Sequence, residues 1–130
     1  MQDHQSILQL LSDYFRGLHA GDVELLRSVF DPDAVLFAEL NGASYRKSLD
    51  AYLDGVAQRS SPAELHEPFR MRVLSLEVLH DMAFAKVHVP ALGFNYFNYL
   101  SLLRKGGCWR IISKVFVDVP SEFIGTMTSP

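Results

Sequence analysis

Residues 94–119 read Phe94-Asn95-Tyr96-Phe97-Asn98-Tyr99-Leu100-Ser101-Leu102-Leu103-Arg104-Lys105-Gly106-Gly107-Cys108-Trp109-Arg110-Ile111-Ile112-Ser113-Lys114-Val115-Phe116-Val117-Asp118-Val119. Two runs rich in β-branched, aromatic and aliphatic residues flank Lys105-Gly106-Gly107. They predict adjacent strands, Phe94 to Leu103 and Trp109 to Val119, joined by a tight turn. Working upstream, Pro90 to Gly93 is a second turn. Ala83, Ala85, Val87 and Val89 alternate with Phe84, Lys86 and His88, the period of a strand with two different faces. His80-Asp81 is a third turn, and Glu67 to Leu79 carries Leu74, Leu76 and Val78 in alternation. Four strands in sequence predict an antiparallel meander.

The first half of the chain has another period. Ile7, Leu8, Leu10, Leu11, Tyr14, Phe15 and Leu18 recur at spacings of three and four, giving a helix with a broad apolar stripe. Gly21 suits the left-handed residue that ends such a helix. Asp22 can cap a second helix with Leu25, Leu26, Val29 and Phe30 on its apolar face. Asp31-Pro32-Asp33 stops it, and Ala34 to Leu40 reads as a strand. Asn41-Gly42 is a two-residue hairpin signal. The return strand is Ala43 to about Lys47, and Ser48 caps a third helix bearing Leu49, Tyr52, Leu53 and Val56. Helices gathered at one end and followed by a meander indicate an α+β class. The expected architecture is three N-terminal helices packed in a strongly curved antiparallel sheet, a cone open at one end. It forms one domain over residues 1–130.

Composition narrows the function classes. The chain has 130 residues, 48% hydrophobic and 21% charged, with a formal net charge of −3. That is the profile of a globular domain, and the acidic balance disfavours a nucleic-acid partner, which needs clustered Lys and Arg. No apolar run approaches the length of a membrane span. The single cysteine, Cys108, permits no intrachain disulfide, and the first residues lack a secretion signal, which together predict a cytoplasmic setting. His4, His19, His66, His80 and His88 show no metal-ligand spacing, no glycine-rich phosphate loop precedes a helix, and no cofactor is called for.

The run Tyr14-Phe15-Arg16-Gly17-Leu18-His19-Ala20-Gly21-Asp22, the segment Phe30-Asp31-Pro32-Asp33-Ala34 and the order of elements resemble the nuclear-transport-factor-2-like superfamily. The run Tyr99 to Phe116, with Trp109-Arg110-Ile111-Ile112, is similar to its lumazine-binding branch. The resemblance covers nearly the whole chain. It implies a cystatin-like α+β cone and, through the branch label, a flavin- or pteridine-like ligand. The superfamily also contains isomerases, dehydratases, cyclases and association domains, so the fold alone selects no activity. The resemblance to ketosteroid isomerase supplies a residue-level test. Its oxyanion tyrosine falls at Tyr14. Its general-base aspartate falls at Ala38, with Glu39 one residue away on the opposite strand face. Its protonated acid falls near Tyr99, with Asn98 adjacent. Two of the three groups are missing or displaced, so the isomerase activity does not carry over.

The candidate ligand-binding residues are therefore Tyr14, Phe37, Leu74, Asn98, Leu100, Lys114 and Phe116. Tyr14 is either a core tyrosine or a hydroxyl donor to a ligand. Asn98 shares the parity of Leu100 and Leu102, and its amide recognises hydrogen-bonding groups without acting as a base. Lys114 is in phase with Ile112 and Phe116. Inside the cone it would meet an anionic or carbonyl-bearing ligand; the rarity of buried lysines tips the balance toward outside. Phe37, Leu74, Leu100 and Phe116 would supply apolar walls. Arg70 and Arg72 are candidates for the cone mouth or for a solvated strand end. Cys108 has no residue placed to activate it.

Phe69, Met71, Val73, Phe84, His88, Phe97 and Tyr99 gather on the expected outer face. So many apolar groups exceed what a monomer normally shows to water and predict a homodimer, sheet against sheet. The leading reading is a small-molecule-binding protein, with binding favoured over catalysis and enzyme activity left open. An isomerase-type enzyme using Tyr14 with Glu39 or His66 as base, and an association module with a filled cone, are the alternatives.

Overall fold

The computed structural model describes residues 2–120. The tail past Pro120, expected from the sequence to be loosely held, lies outside these residues. Helix α1 spans Gln2–Ala20 and buries Ile7, Leu10, Leu11, Tyr14, Phe15 and Leu18. It ends at Gly21, whose φ of 69° is the left-handed conformation expected there. Helix α2 is Val23–Val29, capped by Asp22, whose carboxylate accepts from the Leu25 N–H. The two helices touch at Gly17, where an added Cβ would sit 2.8 Å from the Leu26 side chain. Only the missing side chain allows that approach.

Phe30 is already extended, so α2 stops one residue sooner than its apolar face suggests, and strand β1 runs Phe30–Leu40. Pro32 falls in the irregular stretch between Phe30 and Val35, where a residue without an N–H is tolerated. The Asp31 carboxylate stabilises this bend by accepting from the Asp33 N–H at 2.9 Å and from Lys105 Nζ at 2.8 Å. Asn41 and Gly42 both have positive φ, 51° and 80°, and turn β1 into β2, Ala43–Ser48. The Ser48 hydroxyl accepts from the Ala51 N–H and caps α3, Leu49–Gln58.

The meander follows as β3 (Arg72–Leu79), β4 (Met82–Ala91), β5 (Phe94–Lys105) and β6 (Cys108–Asp118). The first strand is shorter than the expected Glu67 start, because residues 59–71 form irregular turns. In one of them Ser61 and Glu64 exchange side-chain-to-backbone bonds. The six strands form one curved, open sheet in the order β2-β1-β6-β5-β4-β3. Pairing is antiparallel except between β1 and β6, which run parallel. The α1 and α3 stripes pack on the concave face with Leu36, Ala85, Val87, Leu100, Leu102 and Ile111 in a shared core.

Two bulges reset which side chains face that core. One lies in β3 between Val73 and Ser75, the other where Ser101 pairs Ser113 but Leu102 pairs Ile111. Each inserts one unpaired residue, and an extra residue inverts the parity beyond it. Val73 therefore packs toward the core, whereas Leu74 and Arg72 are exposed. Ile112 turns outward from Ile111 while Lys114 and Phe116 turn inward, so Lys114 is buried, against the base rate for lysine. Met71 is buried as well. The outer apolar face thus consists of Phe37, Leu74, Tyr99, Val115 and Val117, flanked by Phe84 and Phe97, rather than including Met71 and Val73.

Candidate functional site

The inward parity of β6 defines the site. Lys114 lies between Leu36 of β1 and Leu100 of β5, and Phe116 lies between Ala38 and Asn98. Helix α1 brings Tyr14 over this region and α3 brings Tyr52. Asn98 Nδ2 donates to the Tyr14 hydroxyl at 2.7 Å, and Lys114 Nζ donates to the Tyr52 hydroxyl at 3.0 Å. The ammonium also lies 4.7 Å from the Tyr52 ring centroid, 4.9 Å from that of Phe116 and 5.5 Å from that of Tyr14. Three ring faces give it partial electrostatic compensation. Asn98 Oδ1, wholly buried, has no hydrogen-bond partner among the described residues.

Burial governs the phenols. The Tyr14 hydroxyl is pushed up to about 12, chiefly because its charged form cannot be solvated, with Lys114 acting against the rise. Tyr45 is also raised to about 12, by burial and then by the nearby Tyr52. Burial raises Tyr52 and Tyr96 as well, while the Arg59 guanidinium opposes the shift in both. These hydroxyls remain neutral hydrogen-bonding groups at physiological pH.

A cavity of about 190 Å³ opens beside Lys114 and Phe116. Tyr45, Tyr52 and Tyr96 form its aromatic walls, Leu18, Val89 and Ala91 contribute apolar surface, and Lys47 and Arg59 stand with Lys114 as its charged residues. The Phe116 ring meets Tyr45 edge-on at 5.2 Å and Tyr96 at 5.5 Å, which fixes the walls relative to each other. Among the described residues, no Asp, Glu or His lines the cavity. Among the described residues, no group of three or more His, Cys, Asp or Glu could hold a metal ion.

Of the residues singled out from sequence, Tyr14, Asn98, Lys114 and Phe116 come together, but only Lys114 and Phe116 line the cavity. Leu100 is fully buried in the core behind them, between Lys114 and Ala85. Phe37 and Leu74 do not line the cavity. Phe37 follows Leu36 and precedes Ala38, which both face inward, so alternation turns it out, beneath the Arg46 guanidinium at 5.9 Å. Leu74 is turned out by the β3 bulge. Glu39 is exposed and accepts from the Ser44 hydroxyl, and His66 lies in an exposed turn with φ 59°. Neither candidate base reaches the cavity. Arg70 and Arg72 are exposed and do not line it. Sequence reasoning did not name Tyr45, Lys47, Tyr52 or Arg59 as site residues. Tyr45 and Lys47 share one parity of β2, a signal that could have found them. Arg59 lies just past α3, where no periodicity marks it.

The sequence profile of the family described as "putative lumazine-binding" matches residues 2–117. The chain belongs to that family. Solved structures described as nuclear-transport-factor-2-like share the fold of this lumazine-binding-family chain. A nuclear-transport-factor-2-like protein of unknown function from Shewanella baltica superposes with a TM-score of 0.82 at 21% identity, over 92% of this chain and 96% of that one. One from Silicibacter pomeroyi, also of unknown function, gives 0.77 at 22% identity, over 91% and 97%. A protein with a cystatin-like fold from Novosphingobium aromaticivorans gives 0.71 at 15% identity, over 99% and 90%. At these identities the likeness concerns the fold. No curated protein matches the chain. No helix among the described residues is long and apolar enough to cross a membrane.

Proposed function

We propose that this family member binds a compact planar small molecule in the cavity beside Lys114. One observation carries the reading: the cavity is walled by aromatic rings, holds hydroxyls and an ammonium, and has no carboxylate or imidazole from the described residues on its lining. Planar rings and neutral phenols suit a flat heterocycle with several hydrogen-bonding atoms. General acid–base chemistry of the isomerase type needs a titratable base within hydrogen-bond reach of the substrate. Ala38 occupies the base position, and Glu39 and His66 lie elsewhere. The volume is below the ~300–1,000 Å³ usual for drug-sized ligands, which favours a pteridine over a full flavin. The family description, lumazine binding, agrees with that size class.

The proposal includes a second copy of the chain over the outer sheet face. There Phe37, Leu74, Tyr99, Val115 and Val117 are each between 39% and 49% exposed. A self-complementary apolar patch of this kind is the usual surface of a twofold dimer. The exposed thiol of Cys108 suits a reducing, cytoplasmic setting.

Native mass spectrometry of freshly purified protein tests the ligand directly, and the same spectra report the oligomeric state. Titration with lumazine, followed by thermal unfolding and calorimetry, is expected to raise the melting temperature with one site per chain. A flat response to lumazine with no retained molecule in the native spectrum sinks the pteridine assignment. A monomer at micromolar concentration in sedimentation sinks the dimer.

A further inference from the structure

We propose that the cavity is selective for an anion carried on a single aromatic ring, an aryl carboxylate, with Lys114 and Arg59 reading the charge. This rests on the binding reading above and adds the chemical class of the ligand. Lys114 is 5% exposed, and its ammonium has three donors. One goes to the Tyr52 hydroxyl. Among the described residues, the ion-paired carboxylates are Asp3, Asp13, Asp31, Asp50 and Asp81, and their partners are residues other than Lys114, Arg59 or Lys47. A buried ammonium without a counter-charge is costly, and ring faces compensate it only in part.

The surrounding groups have the same sign. Lys47 and Arg59 stand on the lining with Lys114, and no acid of the described residues joins them there. Asp118 lies opposite Tyr96 in the strand register, but it accepts from the Asn95 N–H at 2.8 Å and is not part of the lining. Lys114 donates to the Tyr52 hydroxyl, and exposed Arg59 shares the cavity lining with both. Two cations on one lining mark where a carboxylate would bridge them. The rings of Tyr45, Tyr96 and Phe116 then take the aromatic body. A volume of about 190 Å³ fits one ring with its substituents.

The test compares benzoate with benzamide, its neutral isostere, by calorimetry on the full chain, with inorganic phosphate and lumazine as further arms. Benzoate is expected to bind about tenfold or more tightly than benzamide, a difference of ~1.4 kcal/mol or more. Lys114→Met is expected to bring the two within about twofold, since an apolar side chain of similar length fills the site without charge. Arg59→Gln, on an exposed residue, is expected to weaken benzoate several-fold and leave benzamide unchanged. It keeps the test alive if the Lys114 variant does not fold. Benzamide binding as tightly as benzoate overturns the charge selectivity and leaves the cavity reading intact. Benzoate affinity unchanged in both variants overturns the two readers. Phosphate binding as tightly as benzoate, or lumazine binding where benzoate does not, overturns the aryl-carboxylate class alone. No binding by any of the four probes overturns the class and the binding reading together.

Discussion

Beside the cavity, the two faces of β5 and β6 depart from the pattern of an ordinary half-buried sheet. Along β6, Lys114 is buried with Phe116 on the concave side, while Val115 and Val117 are 46% and 43% exposed on the convex side. On β5, Asn98 is buried and Tyr99 exposed. Antiparallel sheets with one wet face normally put polar residues out and apolar ones in. Here polar groups are held inside against phenols and rings, and apolar groups face outward. A buried ammonium and a half-satisfied amide weaken a core. Their presence points to a face kept for contact with something else. The convex face shows the same logic from the other side, as an apolar surface awaiting cover.

The largest test of this contrast is a pair of truncations. Leu100→Ala, on the concave face and fully buried, is expected to cost about 2–5 kcal/mol in denaturant unfolding. Leu74→Ala, on the convex face at 44% exposure, is expected to change the stability of the isolated chain by less than ~0.5 kcal/mol. Equal costs would erase the distinction between the faces.

Val115→Asp places a charge in the middle of the convex patch. Self-association measured by sedimentation is expected to weaken about tenfold or more, with the melting curve of the monomer barely moved.

Alkali sharpens the concave side. Tyr14 and Tyr45 ionise near 12 in the folded chain, against about 10 when unfolded. The unfolded chain loses these protons first. Their contribution to stability is therefore complete below about 10 and is lost as pH rises through about 12. Denaturant unfolding across that window, with phenolate absorbance as a second readout, checks both the direction and the residues.

The smallest effect is expected at Asp31, where the sheet meets the helices. Lys105 and then the Asp33 N–H hold its carboxyl below the usual carboxylate range. A lowered carboxylate stabilises above the ordinary value of ~4, and that stabilisation fades as pH falls through the folded value. Asp31→Asn is expected to cost about 1 kcal/mol or less at neutral pH, because Lys105 is 57% exposed and screened. The cost should shrink in acid.

How far the sequence revealed this depended on the range of the interaction. Asp22, Ser48, Gly21 and the Asn41-Gly42 turn act on their own neighbours, and each does what its chemistry indicates. The four-strand meander follows from alternation and turns. Alternation fails at Leu74 and Ile112, where an extra residue enters a strand without any compositional mark. For that reason Leu74 read as an inner wall, and Lys114 could not be assigned to a face. The Lys114–Tyr52 contact joins residues 62 apart, and the Asn98–Tyr14 contact joins residues 84 apart. Only the folded sheet brings them together. Phe37 failed for a simpler reason: which parity of an apolar strand faces inward is set by its partners.

The position of β6 between β1 and β5 has a consequence for biosynthesis. Among the described strands it is the last to leave the ribosome, and it hydrogen-bonds the first hairpin to the meander. Until it arrives, β1 and β5 each present an unpaired edge, and the incomplete chain carries the hazards of open strands. The helices cannot seal their stripe either, since Ile111 and Trp109 of β6 belong to the shared core. Closure thus waits for β6 and then engages both halves at once, as a keystone closes an arch.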